Sequence, residues 1–165
     1  MFRVAAERAP GHNRAMPRLS VDTSLGRFTI EETDGGVTAL DWGGDAAETT
    51  PLLTKAAGQL TAYAEGELTA FDLPLAPKGG ALQQAVLAQM RAIPFGHTRT
   101  YGEIAKAVGA SAQAVGRACG ANPIPVIIPC HRVTGTNWLG GFSGMGGVEK
   151  KVELLKHEGA YSLLI

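Results

Sequence analysis

Hydrophobic and polar residues alternate in three short segments near the start of the chain, over residues 19–23, 27–32 and 37–42. Alternation with a period of two is typical of strands that bury one face. Leu25-Gly26 separates the first two segments and Asp34-Gly35-Gly36 the last two, and such glycine-containing turns favour hairpins. The pattern therefore predicts a small β-sheet of short, hairpin-connected strands.

The spacing becomes helical after residue 50. Leucine, alanine and tyrosine recur every three or four residues over 51–64, and Pro51 suits a first helical turn. Prolines and glycines then interrupt any regular pattern over residues 73–80, which favours a linker. We therefore expect a small N-terminal α/β domain over residues 18–77 and a second domain over residues 78–165.

The second domain is predicted to be mostly α-helical and to contain a winged-helix-like helix-turn-helix. Its first helix ends before Pro94. Thr100 and Glu103 have capping-box spacing, Gly109 can end the helix that they begin, and Ser111 can cap the next one. Two short helices joined by such a turn match a DNA-binding geometry, although many helical hairpins are merely core. The apolar face of the first helix is predicted to consist of Leu82, Val86, Leu87 and Met90.

The second helix of this pair, over residues 112–121, consists almost entirely of small residues, with Gln113 and Arg117 one turn apart. Small side chains let a backbone approach its partner closely. Against nucleic acid, this favours phosphate contacts from the helix N-terminus and entry into a narrow groove. Against protein, the same residues would pack tightly, and both interpretations stay open.

The strongest candidate for chemistry is Cys130, which follows Pro129 at the end of an apolar segment and directly precedes His131. A free thiol has a pKa of about 8.5, and a neighbouring imidazole or cation lowers it towards the nucleophilic thiolate. Because Pro129, His131 and Arg132 bring shape and charge that a core position would avoid, we interpret Cys130 as reactive. Cys119, within the small-residue helix, is interpreted as an ordinary buried thiol.

Two cysteines in 165 residues, eleven positions apart, form neither a disulfide framework nor a paired metal-ligand spacing. We therefore expect a cytoplasmic protein with no zinc and no other cofactor. No apolar run approaches the length that crosses a bilayer, so no membrane partner is expected. Residues 1–17 lack the continuous apolar stretch of a secretory signal and are predicted to be a flexible leader.

The net charge of zero divides unevenly along the chain. Residues 1–77 contain six Lys or Arg against eleven Asp or Glu, a balance of −5, whereas residues 78–165 contain nine against four, a balance of +5. A basic half that carries the candidate thiol suggests a polyanionic partner. Ion pairing between the two halves is the competing explanation.

Four short blocks of the basic half occur together in a recognisable order. They are Tyr101-Gly102-Glu103-Ile104-Ala105, Ala114-Val115-Gly116, Asn122-Pro123 and Pro129-Cys130-His131-Arg132-Val133. With these blocks the chain resembles the O6-alkylguanine-DNA alkyltransferases, also called methylated-DNA–protein-cysteine methyltransferases, in their zinc-free bacterial form.

The resemblance implies direct reversal of DNA damage by a single-turnover enzyme. An alkyl group would move irreversibly from the O6 oxygen of guanine to one cysteine. The implied partner is double-stranded DNA containing O6-alkylguanine, bound through its minor groove by a monomer. Because a thiol cannot reach an alkyl group within stacked DNA, the target nucleotide would have to be flipped out.

The resemblance makes Cys130 the alkyl acceptor, His131 the base acting on it through water, and Glu158 the carboxylate that orients the imidazole. The residues also favour Glu158 independently. A helix is predicted over 148–158 with Gly159 ending it, and a carboxylate in the last turn opposes the helix dipole unless a donor faces it. The apolar face of that helix is predicted to be Val148, Val152 and Leu155.

The resemblance also assigns the groups around the base. Tyr101 would donate to the base, Asn122 would hydrogen-bond near the thiol, and Val133 would offer backbone contact. Ser143 would direct its amide at O6. The substrate pocket is thus expected to comprise Val133, Phe142, Ser143 and Gly144. The expected DNA contacts are Thr100, Ser111, Gln113, Ala114, Arg117 and Arg132.

The sequence departs from the family pattern at two of these positions. Gln113 stands where the family usually has the arginine that fills the gap left by the flipped base, so base flipping is expected to be weaker or aided by Arg117. Phe142 stands where a tyrosine is common. Both changes bear on rate and substrate range more than on the class of reaction.

Three other functions fit parts of the pattern. A non-repairing lesion sensor of the same fold would lack the acceptor, which Cys130 argues against. A cysteine hydrolase of Cys-His-Glu type fits the residue types but would turn over repeatedly, whereas an alkyl acceptor is used once. A transcriptional regulator would need base-specific polar side chains, which the second helix of the helix-turn-helix largely lacks.

Overall fold

The computed structural model describes residues 16–136, 139 and 147–161. An antiparallel sheet of three strands and one helix forms the N-terminal half, and most of the C-terminal half is helical, so the predicted fold class is confirmed. The N-terminal elements are β1 (Arg18–Thr23), β2 (Gly26–Thr33), β3 (Gly36–Trp42) and α1 (Pro51–Ala64). The C-terminal elements are α2 (Ala81–Arg91), β4 (Arg99–Thr100), α3 (Tyr101–Val108), α4 (Ala112–Gly120), a 3-10 turn (Cys130–Arg132), β5 (Val133–Thr134) and α5 (Val148–His157).

The three strands pair in the order β1-β2-β3 through the two predicted hairpins. In the second hairpin, Asp34 and Gly35 have φ of 51° and 84°. Positive φ at both central residues is the conformation that lets a two-residue turn follow the twist of the strands. The alternation of residues therefore predicted this sheet correctly, to within about one residue at each strand end.

The predicted linker over residues 73–80 is partly wrong, because its middle joins the sheet. The Val37 amide donates to the Pro74 carbonyl at 2.9 Å, and the Ala76 amide donates to the Val37 carbonyl at 2.8 Å. Leu73 is buried beside this contact. Two prolines remove amide donors but leave carbonyl acceptors, so an irregular segment can still pair along an edge strand.

One continuous hydrophobic core runs through both halves of the described chain. The Leu40 amide of β3 donates to the carbonyl of Pro123 at 2.9 Å, which ties the sheet to the segment that leads to Cys130. Val86, Leu87 and Met90 of α2 face the core as predicted, whereas Leu82, in the first turn of α2, remains 40% exposed. No helix of the described residues is both long and apolar enough to cross a membrane.

The predicted helix-turn-helix is present as α3 and α4, and its caps are confirmed. The Thr100 hydroxyl accepts from the Glu103 amide at 3.0 Å, while the Glu103 carboxylate accepts from the Thr100 amide at 2.7 Å. Gly109 ends α3 in the left-handed conformation, and the Ser111 hydroxyl caps α4 by accepting from the Ala114 amide. Local hydrogen bonds therefore fix both helix starts.

Strand β4, directly before α3, pairs in parallel with β5, directly after the 3-10 turn. Arg99 lies opposite Val133, and Thr100 lies opposite Thr134. This short pairing fixes the start of the helix-turn-helix relative to Cys130.

Helix α5 forms where predicted, but its buried face agrees with the predicted one only at Leu155. Lys151, Leu154 and Leu155 are buried, whereas Val148 is 47% exposed. The helix ends at His157, so Glu158 is its C-cap, and Gly159 follows with φ of 74°. Lys151 and Glu158 can lie on the buried side because both have polar partners in the core.

Candidate active site

A tightly hydrogen-bonded loop delivers Cys130 to the start of the 3-10 turn. The Asn122 side-chain amide donates to the Ile128 carbonyl at 2.8 Å, and its oxygen accepts from the Ile124 amide at 3.0 Å. Val126, inside this loop, has φ of 73°. A β-branched residue in that conformation stores about 1–3 kcal/mol of strain. Asn122 therefore holds a strained loop in the shape that leads to Cys130.

The Cys130 thiol is buried, with 5% of the residue exposed. Burial raises the pKa of Cys130, while a hydrogen bond from Asn122 and the positive charge of Lys151 act in the opposite direction. The expectation that charged neighbours mark a position outside the core is thus wrong, since His131 and Arg132 are buried too. The groups that most favour a thiolate here come from elsewhere in the chain.

His131 is oriented by Glu158. Its Nε2 lies 2.7 Å from Glu158 Oε2, and both side chains are fully buried. Burial lowers the pKa of His131, although the Glu158 charge opposes this shift, so the imidazole is favoured in its neutral form. An ionised carboxylate can only accept, which places the ring proton on Nε2. Nδ1 is then the basic atom, and it has no hydrogen-bond partner among the described residues.

The Glu158 carboxylate is held by several donors. Arg132 binds it in a bidentate manner, with Nε 2.8 Å from Oε1 and Nη2 2.9 Å from Oε2. The Tyr63 hydroxyl donates to Oε2 at 2.6 Å. Burial alone would raise the pKa of Glu158, but hydrogen bonds from His131 and Arg132 hold it well below its usual range. Glu158 is therefore ionised.

Arg132 does not fit the expectation that it contacts DNA. Its remaining amino group, Nη1, donates to the Ile93 carbonyl at 2.6 Å, and only 8% of its side chain is exposed. Its other two donors are engaged by Glu158. The guanidinium neutralises a buried carboxylate, so its charge is unavailable to a phosphate.

Lys151 is a site residue that the sequence analysis missed. Its Nζ donates to the Val133 carbonyl at 2.6 Å and lies 3.4 Å from the Tyr101 hydroxyl. Burial lowers the pKa of Lys151 to about 8. The signal was present in the sequence, since residues 151, 155 and 158 share a helical face. Lysine at such a position is usually a solvated side chain, and the apolar residues 148 and 152 favoured the wrong face.

The residues expected to contact DNA, apart from Arg132, lie on the helix-turn-helix. Gln113 and Arg117 are exposed on α4, Ser111 is exposed at its N-cap, and Thr100 and Ala114 are half-buried. Thr100 and Ser111 already use their hydroxyl oxygens to cap helices. Gln113 and Arg117 are therefore the long polar side chains of this surface that are exposed and not used as helix caps.

The structure brings Cys130, His131, Glu158 and Asn122 together around the 3-10 turn, and Tyr101 joins them through Lys151. The Val133 carbonyl accepts from Lys151 at the same place. Phe142, Ser143 and Gly144, expected in the substrate pocket, lie outside the described residues. Within the described part of the chain, no three His, Cys, Asp or Glu side chains cluster in a way that could hold a metal ion.

Comparison with known proteins agrees with this geometry. The model of the 6-O-methylguanine DNA methyltransferase DNA-binding domain matches residues 81–160, and that of the ribonuclease-like domain of the same enzymes matches residues 19–77. A methylated-DNA–protein-cysteine methyltransferase from Methanosarcina barkeri is 38% identical over 150 residues, covering 84% of this chain and 94% of that protein. The chain belongs to this family.

Other members of the alkyltransferase family are similarly close. The methylated-DNA–protein-cysteine methyltransferase of Methanosarcina acetivorans is 47% identical over 116 residues, which cover 68% of this chain and 73% of that protein. The crystal structure of Mycobacterium tuberculosis OGT in complex with DNA superimposes with a TM-score of 0.77 at 39% identity, covering 86% of this chain and 92% of that one. Family membership establishes DNA repair by alkyl transfer to a cysteine of the protein.

Proposed function

We propose that Cys130 is the acceptor and that the donor is O6-alkylguanine in double-stranded DNA. The observation that carries this assignment is the buried pair of His131 and Glu158, which leaves a basic Nδ1 on the residue next to the thiol. Among the described residues, the hydrogen-bond contact of the Cys119 sulfur is with the sulfur of Met90, at 3.6 Å.

The transfer is a single displacement at carbon. The Cys130 thiol proton passes through water to Nδ1 of His131, and the sulfur forms a bond to the alkyl carbon. The bond from that carbon to O6 breaks, and its electron pair stays on the guanine, which takes up one proton. The thioether that forms is not cleaved again, so each protein molecule reacts once.

Tyr101 and Lys151 serve the leaving guanine in this proposal. Guanine becomes a better leaving group when a donor stabilises the negative charge that develops on it. The ammonium of Lys151 lies 3.4 Å from the Tyr101 hydroxyl oxygen and polarises it. Tyr101 is accordingly the donor to the base, and Lys151 supports it. We assign the remaining pocket contacts to Val133, Phe142, Ser143 and Gly144.

We propose that α4 enters the minor groove of the duplex with the lesion flipped out. Its small residues allow close approach, and Gln113 and Arg117 are exposed on it. The basic balance of residues 78–165 supports a polyanionic partner. We further propose that residues 78–165 form the DNA-binding domain, that residues 18–77 support it, and that one cytoplasmic protein molecule binds each lesion.

A stoichiometry experiment tests the proposed function. The full chain is mixed with increasing amounts of a duplex oligonucleotide carrying one O6-methylguanine, and the repaired oligonucleotide is counted. We expect repair to stop at one methyl group per protein molecule, and Cys130→Ser to bind the duplex without repairing it. Repair by Cys130→Ser would contradict the assignment of the acceptor, and repeated turnover would favour the hydrolase.

A further inference from the structure

Glu158 receives one donor from the opposite half of the protein. The Tyr63 hydroxyl, on α1, donates to Glu158 Oε2 at 2.6 Å across 95 positions of sequence. Tyr63 is completely buried. The N-terminal half of the chain therefore supplies one of the hydrogen-bond donors to the Glu158 carboxylate.

Contacts on several sides hold Tyr63 in place. Its carbonyl accepts from His157 Nε2 at 2.7 Å, next to Glu158 in the chain. Its ring packs against Phe71, Phe95 and His157, with ring centroids 5.4, 6.1 and 5.0 Å away. A side chain fixed in this way presents its hydroxyl with little loss of freedom. The hydroxyl remains a neutral donor, because burial and the Glu158 charge raise the pKa of Tyr63.

The hydroxyl acts on the oxygen that also orients the imidazole. Oε2 of Glu158 receives His131 Nε2, Arg132 Nη2 and the Tyr63 hydroxyl. The charged groups that face His131 are Glu158, Arg132 and Lys151. Each further donor to the carboxylate disperses its negative charge and reduces its power to stabilise an imidazolium. Tyr63 therefore favours neutral His131, the form that accepts the thiol proton.

We propose that Tyr63 is a positioning residue for alkyl transfer, which fixes Glu158 and keeps His131 neutral at working pH. This inference rests on the proposed function for its effect on rate, but its effect on His131 is measurable without any reaction. It also gives the N-terminal half a defined part in the chemistry, because α1 contributes a hydrogen bond to the site.

The first experiment compares Tyr63→Phe with the unchanged protein in single-turnover transfer from an O6-methylguanine duplex across a range of pH. We expect the acidic limb of the rate profile to move to higher pH by roughly one unit, because His131 gains affinity for its proton. Titration of His131 by NMR in the DNA-free protein should show the same shift. The proposal would be overturned if neither the acidic limb of the pH–rate profile nor the midpoint of the His131 titration changed.

Lys150→Met is the matched control. Lys150 donates to the Leu25 carbonyl at 2.8 Å, so it also joins the two halves, but it has no contact with Glu158. We expect this variant to lose stability without moving the acidic limb. An equal shift in Lys150→Met would show that weaker contact between the halves is the cause, which would also overturn the proposal.

A second substitution keeps the test valid if Tyr63→Phe does not fold. 3-Fluorotyrosine placed at position 63 retains the ring and donates more strongly, so the His131 titration should move to lower pH. A shift to higher pH, or none, would contradict the proposal. If the unchanged protein repairs nothing, the proposed function fails, whereas the His131 titrations still decide the role of Tyr63.

Discussion

Cys119 and Cys130 lie eleven positions apart, and burial raises the pKa of both thiols. Around Cys119, on α4, burial raises the pKa to about 12, and the sulfur contacts Met90. Around Cys130, a hydrogen bond from Asn122 lowers the thiol pKa and His131 follows in the chain, whereas the positive charge of Lys151 acts on both thiols. The first is the environment of a packing thiol and the second that of a nucleophile.

Exposure does not mark the reactive thiol in this fold. Only 5% of Cys130 and 7% of Cys119 are exposed, so accessibility does not distinguish them. Their polar neighbours do: Asn122, in the loop after α4, acts on Cys130, and His131 beside it is oriented by Glu158, to which Tyr63 of α1 also donates. Substitutions that remove parts of this environment should therefore affect transfer more than substitutions around Cys119.

Among the substitutions around Cys130, Glu158→Gln should have the largest effect on stability and on alkyl transfer. It leaves the buried Arg132 guanidinium without its anion, so the free energy of unfolding should fall by about 3–5 kcal/mol. Alkyl transfer should slow by at least about 100-fold, because His131 loses the negative charge that stabilises its protonated form during the reaction. Urea unfolding and single-turnover kinetics measure the two losses.

Glu153→Gln is the control on the same helix, since Glu153 pairs with Lys150 near the surface. Its free energy of unfolding should stay within about 0.5 kcal/mol of that of the unchanged protein, and its rate of alkyl transfer should be close to the unchanged rate. A rate loss of less than about tenfold in Glu158→Gln would contradict the role of this carboxylate.

Lys151→Met should have the next largest effect, because it removes the cation near both thiols. Transfer should slow by about tenfold as Tyr101 loses its polarising neighbour. Lys156→Met, at the surface, is the control and should leave the transfer rate unchanged. An unchanged transfer rate in Lys151→Met would contradict a role for Lys151 in the reaction.

Relative to Lys151→Met, the unchanged protein should also gain stability as pH rises from about 8 to about 10. Burial lowers the pKa of Lys151 to about 8 in the folded protein. Unfolded lysine has a pKa of about 10.4, so the unfolded chain alone holds this proton between the two values. Denaturant titrations across this range measure the gain, and equal pH slopes in the two proteins would contradict the shift.

Gln113→Arg changes the exposed side of the helix that carries Cys119 and should have a smaller effect. An added cation there should raise affinity for duplex DNA several-fold at low salt. It should also steepen the slope of the logarithm of the binding constant against the logarithm of salt concentration by about one. Gln84→Arg, which adds the same charge on α2, is the control. Unchanged or weaker binding by Gln113→Arg, measured by fluorescence anisotropy, would count against α4 as the DNA-contacting helix.

Cys119→Ala should have the smallest effect on transfer. Loss of its sulfur contact with Met90 should reduce the free energy of unfolding by about 1 kcal/mol. Transfer should remain within about twofold of the unchanged rate, because Cys119 takes no part in the proton path. A much slower transfer in this variant would mean that the two thiols act together.

Local signals predicted the elements of this fold well. Both helix caps, at Thr100 and Ser111, depend on residues three positions apart, and the hairpin turn at Asp34-Gly35 depends on two adjacent residues. Interactions of such short range are visible in a sequence. The pairing of residues 74–76 with β3 was missed because it depends on a partner almost forty positions away.

The site was predicted only where its residues are adjacent or belong to motifs. Lys151 and Tyr63 were missed because their polar partners, the Val133 carbonyl and Glu158, are distant in sequence. Arg132 was given the wrong partner for the same reason. A charge beside a cysteine suggests a surface, and only the fold shows that Glu158 neutralises it inside the core.

Locating the transferred methyl group tests the assignment of Cys130 as the acceptor. After reaction with an O6-methylguanine duplex, trypsin releases residues 118–132 as one peptide that carries both thiols. Fragmentation of that peptide in the mass spectrometer places the added methyl on one cysteine. We predict that Cys130 carries it and that Cys119 is unmodified. A methyl group on Cys119, or an unmodified peptide after complete repair, would contradict the assignment of Cys130 as the acceptor.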